Sequence, residues 1–249
     1  MKTLVLLPAL LCNEGLFSPQ IAALKDRANI VVPDLSRDTD LAAAARRILS
    51  EIPAEKFCLC GISMGGYVAF EILRQASARV EALCLTDTNP FGETEQSSKN
   101  RAVMIARAQA NGLESIVESS QFSVLAPENR DKPMIKELLP KMVFQTGLRG
   151  YVNEQKTIMS RPDSRDLLNK ISCPTLVVGG ALDALSTPAI MDDMARQIPN
   201  ATRIVIPNSG HFPPLENPDA MTAVLEELLS LKYGCPSIPP KFRLRWRLA

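Results

Sequence analysis

The sequence predicts an α/β protein: a doubly wound, mostly parallel sheet with a helical insertion between two of its strands. Three observations carry this reading. Six short apolar runs rich in Val, Ile and Leu recur along the chain, and helix-period segments alternate with them. The alternation then stops between about residues 89 and 163, where helical stretches replace the strand-like runs.

The apolar runs occupy residues 3–7, 29–33, 56–62, 80–86, 175–178 and 202–206. None alternates polar with apolar, so both faces of each strand are expected to be covered, as in a parallel sheet. The opening MKTLVLLPALLC admits a second reading, a secretion signal with Lys2 ahead of its apolar core. That reading fails because the apolar stretch is short and contains Pro8. Leu10 and Leu11 also stand where a cleavage site needs small residues. The segment is therefore read as a strand running into a loop.

Farther on, DLAAAARRILSEIP sets Leu41, Ala44, Ala45, Ile48, Leu49 and Ile52 on one helical face, with Asp40 placed to cap the start. In FCLCGISMGGYVAF an apolar run turns directly into a helix. The insertion, about residues 90–163, has helical stretches at 102–111, 113–122, 129–139 and 148–159 and reads as a lid. Its Met104, Phe122, Met142, Phe144 and Met159 could line a pocket or pack the lid's own core. Beyond it, STPAIMDDMARQIP places Thr187 before Pro188, a common helix entry. A last helix covers about residues 218–231. The expected organisation is one domain over residues 1–231, followed by a Pro-rich tail at 232–249. That tail, KYGCPSIPPKFRLRWRLA, carries Lys241, Arg243, Arg245, Arg247 and the only tryptophan, Trp246, and is read as disordered.

Composition narrows the function classes. With 249 residues, 46% hydrophobic content and a formal net charge of +1, the chain gives no support to nucleic acid or a membrane surface as partner. No apolar run approaches the roughly 20 residues needed to span a bilayer. Of the six cysteines, Cys58, Cys60, Cys84 and Cys173 lie in or beside strand-like runs, as small hydrophobes do, while Cys12 and Cys235 lie outside them. Cys58 and Cys60 share a strand face, a spacing unlike a CxxC redox or zinc pair. A single histidine argues against a His-rich metal site. The expectation is a cytoplasmic protein with no metal and no cofactor.

The most informative stretch is Gly61-Ile62-Ser63-Met64-Gly65, a G-x-S-x-G between an apolar run and a helix. A serine on so sharp a turn brings the residues two before and two after it against neighbouring backbone, where a side chain would clash. The helix that follows aims its N-terminal N–H groups at the reaction centre. A serine hydroxyl needs a base to become a nucleophile, and His211 is the only histidine available. It lies in NSGHFPPLENP, a loop at the carboxyl end of the 202–206 run. Two carboxylates compete to orient it: Asp183 in GGALDALSTP, and Asp87 at the end of LCLTD.

Together GISMGG at 61–66, GALDALSTP at 180–188 and SGHFPPLENP at 209–218 give the chain a resemblance to the α/β-hydrolase superfamily. The similar group within it comprises small lidded esterases, enol-lactonases and carbon–carbon-bond hydrolases, and the likeness covers about residues 1–231. The resemblance implies the order Ser63, Asp183, His211 for the catalytic residues, with Asp87 as the alternative acid. It also implies an oxyanion hole built from the backbone N–H groups of Leu10 and Met64. Members more often carry His-Gly where this chain has Pro8-Ala9, and many begin with two further strands. The implied activity is hydrolysis of an ester-type bond in a small, partly apolar substrate through an acyl-enzyme. Alternatives are an enol-lactonase, a carbon–carbon hydrolase of an aromatic-degradation pathway, or a ligand-sensing protein with little turnover. The expected partner is a small ester or lactone, without nucleic acid or membrane, and the expected state is monomer or homodimer.

Overall fold

The structure is a computed structural model that describes residues 1–231. Six strands, β1 (Lys2–Leu7), β2 (Ala28–Val31), β3 (Phe57–Ile62), β4 (Val80–Thr86), β5 (Thr175–Gly180) and β6 (Ala201–Ile206), follow the six apolar runs. They pair in parallel in the order β2-β1-β3-β4-β5-β6. The second strand stops short of Pro33, which has no N–H to offer a ladder. The expected tail at 232–249 lies outside the described residues.

The connecting helices are α1 (Ser18–Leu24), α2 (Leu41–Glu51), α3 (Met64–Ala76), α4 (Glu95–Asn111), α5 (Glu114–Ile116), α6 (Pro133–Met159), α7 (Arg165–Leu168), α8 (Pro188–Gln197), α9 (Pro213–Glu216) and α10 (Pro218–Ser230). Alternate strand residues supply two cores. Leu4, Leu6, Cys58 and Cys60 pack with Leu24 of α1 and Met221, Leu225 and Leu228 of α10. Val5, Leu7, Phe57 and Leu59 pack with Ile48 of α2, Val68 of α3 and Met191 of α8. The sheet is thus doubly wound, and β1, β3, β4 and β5 are covered on both sides. The edge strands β2 and β6 are only partly buried, short of the full cover expected for every strand. Asp40 caps α2 by accepting from Ala43 N at 2.8 Å, and Leu41, Ala44, Ala45 and Ile48 are its buried face.

Strand order reverses between β1 and β3, with β2 on one side and the later strands on the other. Open α/β sheets leave a crevice at the carboxyl ends of strands at such a point. The loop after β1 and the turn carrying Ser63 both emerge there.

Between β4 and β5 the chain is helical. Within α6 two helices meet at a kink at Gly147, which leaves helical geometry with φ 70° and ψ 168°. The second matches the stretch expected at 148–159, and the first begins at Pro133, not at 129. Only glycine adopts that conformation readily, so the kink is locally encoded. Residues 117–122 form a turn of wider, π-type helix. Met142 is buried in the core beside Leu16 and Phe17, and Phe144 is 50% exposed. The two ends of the insertion are joined: Glu93 N donates to Arg161 O at 3.2 Å, and Ser164 N to Pro90 O at 2.8 Å. Between them the Glu93 carboxylate pairs with Arg101 and Arg161. Among the described residues, no helix is long and apolar enough to cross a membrane.

Candidate active site

Ser63 is the pivot between β3 and α3, with φ 52° and ψ −113°. Such a conformation costs a non-glycine residue on the order of 1–3 kcal/mol and persists only where its surroundings hold it. Here Ser63 N donates to Thr86 O at 3.0 Å, while Ser63 O accepts from Gly66 N and Thr88 Oγ1, each at 2.9 Å. The flanking glycines answer to crowding. A Cβ on Gly65 would lie 2.1 Å from Leu7 O, and one on Gly61 would lie 2.4 Å from Gly65 O. Backbone on all sides leaves nothing that could move aside.

His211 follows β6 on a loop and is 4% exposed. Its Nε2 lies 2.8 Å from Ser63 Oγ, and its Nδ1 lies 2.8 Å from Asp183 Oδ2. Asp183 leaves the end of β5 and is 3% exposed. Its carboxylate also accepts from Leu185 N at 2.8 Å and Ser186 N at 3.2 Å. Burial pushes the Asp183 carboxyl upward, but the hydrogen bond and charge of His211 and the Leu185 N–H outweigh it, so the group is held below its ordinary value. An ionised Asp183 calls for the proton on Nδ1, which leaves Nε2 free to accept from Ser63.

Asp87 occupies a different position. Its Oδ1 accepts from Gly180 N at 2.9 Å, and the residue is fully buried with φ 42°. No N–H or O–H reaches its Oδ2. Burial, with the charge of Asp183 beside it, pushes the Asp87 carboxyl well above the carboxylate range. Asp87 does not hold the imidazole, whose Nδ1 meets Asp183 instead. The geometry thus separates the two carboxyl groups: Asp183 meets the ring, and Asp87 stands behind Asp183.

Leu10 and Met64 flank the serine from either side of the strand-order reversal. As first residue of α3, Met64 presents one of the N–H groups that a helix leaves without an internal partner. Leu10 is half-buried, and its carbonyl accepts from Gln121 Nε2 at 3.4 Å. The next residue, Leu11, has φ 59° and donates its N–H to Glu154 Oε2 at 2.8 Å. That bond occupies Leu11 N.

Two buried glutamates at this site were not singled out from the sequence. Glu154 lies on α6, far along the chain from the loop it holds. Glu216, 2% exposed, lies inside the quoted SGHFPPLENP, where an acid within an apolar stretch was the one available hint. Among the described residues, no group of three or more His, Cys, Asp or Glu side chains could hold a metal ion.

Comparison with known proteins gives a consistent picture. A model of the Alpha/beta hydrolase family matches residues 4–224. The chain is 27% identical over 221 residues to 3-oxoadipate enol-lactonase 1 of Acinetobacter baylyi, covering 83% of this chain and 80% of that one. It is 26% identical over 199 residues to a pimeloyl-[acyl-carrier protein] methyl ester esterase of Neisseria meningitidis serogroup B, covering 78% and 76%. Among solved structures, a thermophilic esterase of Thermogutta terrifontis with malate bound superimposes with a TM-score of 0.84 at 30% identity, over 92% and 89% of the chains. An enol-lactonase of Burkholderia xenovorans shares the fold at 20% identity, with a TM-score of 0.82 over 92% of each chain.

Proposed function

The chain belongs to the alpha/beta hydrolase family, and on that premise we propose that it is a serine hydrolase cleaving an ester-type bond in a small, partly apolar substrate. The observation that carries this reading is the unbroken chain Ser63 Oγ–His211–Asp183, with both links at 2.8 Å. His211 Nε2 takes the Ser63 proton as Oγ attacks the substrate carbonyl. The carbonyl oxygen, now an oxyanion, accepts from the N–H groups of Leu10 and Met64. His211 passes its proton to the leaving alkoxide, which departs as the alcohol, and an acyl-enzyme remains. Water, deprotonated by the same nitrogen, attacks the acyl carbon and releases the acid with Ser63 restored. Asp183 keeps Nδ1 protonated and stabilises the imidazolium at each transfer. Removing one oxyanion donor typically lowers kcat by about 10²–10³.

The helical insertion acts as a lid over the crevice at the β1/β3 reversal, and its position between β4 and β5 supports that role. Free, buried cysteines at 12, 58, 60, 84 and 173 support a cytoplasmic setting. A second reading, hydrolysis of an enol-lactone, is favoured by the likeness to 3-oxoadipate enol-lactonase 1. The same serine chemistry opens a ring without losing a separate alcohol.

Labelling with a fluorophosphonate probe and peptide mapping tests the proposal, with His211→Ala in parallel. An adduct on Ser63 that disappears in the variant is the expected result. Intact, folded protein that takes no label would overturn it. Turnover of 3-oxoadipate enol-lactone, set against a panel of short-chain nitrophenyl esters, distinguishes the two readings.

A further inference from the structure

We infer that Glu216 is a positioning residue, which holds His211 in register with Ser63 and ties that register to the helical insertion. The inference rests on the serine-hydrolase reading above.

The observation is the number and placement of the donors. Glu216 Oε2 accepts from Gly210 N at 2.9 Å, Ala126 N at 2.8 Å and Asn129 Nδ2 at 2.8 Å, and Oε1 accepts from Phe212 N at 2.9 Å. Gly210 and Phe212 are the two neighbours of His211. The histidine's own N–H donates to Val124 O at 3.1 Å, again in the insertion. Three consecutive N–H groups, 210 to 212, therefore have partners outside any strand ladder or helix backbone. Two of the three go to one side chain. The insertion is fastened to the same loop at further points: Asn129 Nδ2 donates to Asn208 O at 2.8 Å, and Lys132 Nζ to Glu216 O at 2.8 Å.

The physical consequence follows from where His211 sits. It is on an irregular loop, yet its ring must hold two bonds of 2.8 Å in opposite directions. Catalytic groups need placement within about 0.5 Å, and a displacement of about 1 Å can lower the rate roughly 100-fold. Asp183 and Ser63 fix only the ring. Glu216 fixes the backbone on both sides of it, and shares that backbone with residues 124–129. Removal of its carboxyl group leaves four donors without an acceptor, two of them beside the histidine.

Glu216→Gln and Glu216→Ala are the test, with Ile48→Val, a conservative change in the opposite core, as a stability control. Kinetics on a nitrophenyl ester should show kcat falling roughly 10- to 100-fold in Glu216→Gln with KM within about threefold, and further in Glu216→Ala. A glutamine retains an acceptor for the three Oε2 donors and loses the Phe212 bond, so it should be the milder change. A second readout is independent of turnover. His211 is the only histidine, so its Nδ1 proton, shared with Asp183, gives a single downfield proton resonance in histidine-labelled protein. That resonance should be present in wild type and in Ile48→Val, and lost or exchange-broadened in Glu216→Gln. Should Glu216→Ala fail to fold, Glu216→Gln and Asn129→Ala, which removes a donor from the insertion side alone, carry the test. Unchanged kcat with an intact resonance in folded Glu216→Gln would overturn the inference. If wild type shows the resonance but Ser63 takes no fluorophosphonate label, the serine-hydrolase reading falls, while the resonance still decides the role of Glu216.

Discussion

Two loops that serve the Ser63 centre, one after β1 and one after β6, are each tied across the boundary between sheet and insertion by a buried glutamate. The arrangements are mirror images in origin. Glu154 belongs to the insertion and grips the first loop through Leu11 N alone. Glu216 belongs to the sheet side and accepts four bonds, two from the loop and two from the insertion. The number of donors separates their roles. A single N–H does not offset the burial of Glu154, and that burial, with Asp34 adding to it, raises its carboxyl to about 8. Four directed bonds make Glu216 a geometric clamp. A buried carboxyl group is thus defined by what points at it more than by how deeply it lies.

The comparison has meaning only if the chemistry runs through Ser63 and His211, so the largest effects belong there. Ser63→Ala and His211→Ala should each lower kcat by about 10⁴–10⁶, far more than a change at either glutamate. A loss at His211 no greater than that in Glu216→Gln would break the distinction between a group that reacts and one that holds. Next in size is the contrast between the two aspartates. Asp183→Asn should lower kcat by about 10⁴, because the amide no longer selects the tautomer. Asp87→Asn leaves the Asp183–His211 link in place and should stay within about tenfold of wild type. The reverse order would assign the ring's carboxylate to Asp87.

Smaller effects sharpen the difference between the glutamates. Glu154→Gln retains an acceptor for Leu11 N and should change kcat by less than about tenfold. Its signature is in stability. The folded protein keeps Glu154 protonated up to about 8, against an ordinary value of 4.5, so it binds more protons than the unfolded chain between those limits. That contribution is complete below 4.5 and is lost as pH rises through 8. Thermal melts should therefore show wild type losing stability across that window relative to Glu154→Gln, by several degrees in Tm. Parallel curves for the two proteins would mean that Glu154 stays ionised. Smallest is the shape of the pH–rate profile. With one histidine in the chain, the acid limb of kcat/KM should fit a single ionisation, and a limb that survives in His211→Ala would contradict the assignment.

Local rules made much of the molecule legible from its residues. The six apolar runs became six parallel strands within a residue or two. Gly61 and Gly65 mark Ser63 because backbone approaches them too closely for any side chain. Proline, glycine and a capping aspartate bound helices through contacts a few residues away. A histidine that occurs once needs no selection among rivals. The sheet, the serine turn and the single candidate for a base are therefore legible in the residues alone. Tertiary structure decided the rest, since the deciding contacts join residues distant in the chain. Asp183 and Asp87 both end strands of one sheet, and only packing places the first against His211 and the second behind it. Leu11 meets Glu154 across 143 residues, and Ala126 meets Glu216 across 90. No periodicity or short motif encodes such a meeting, because it depends on where two separately formed elements come to rest against each other.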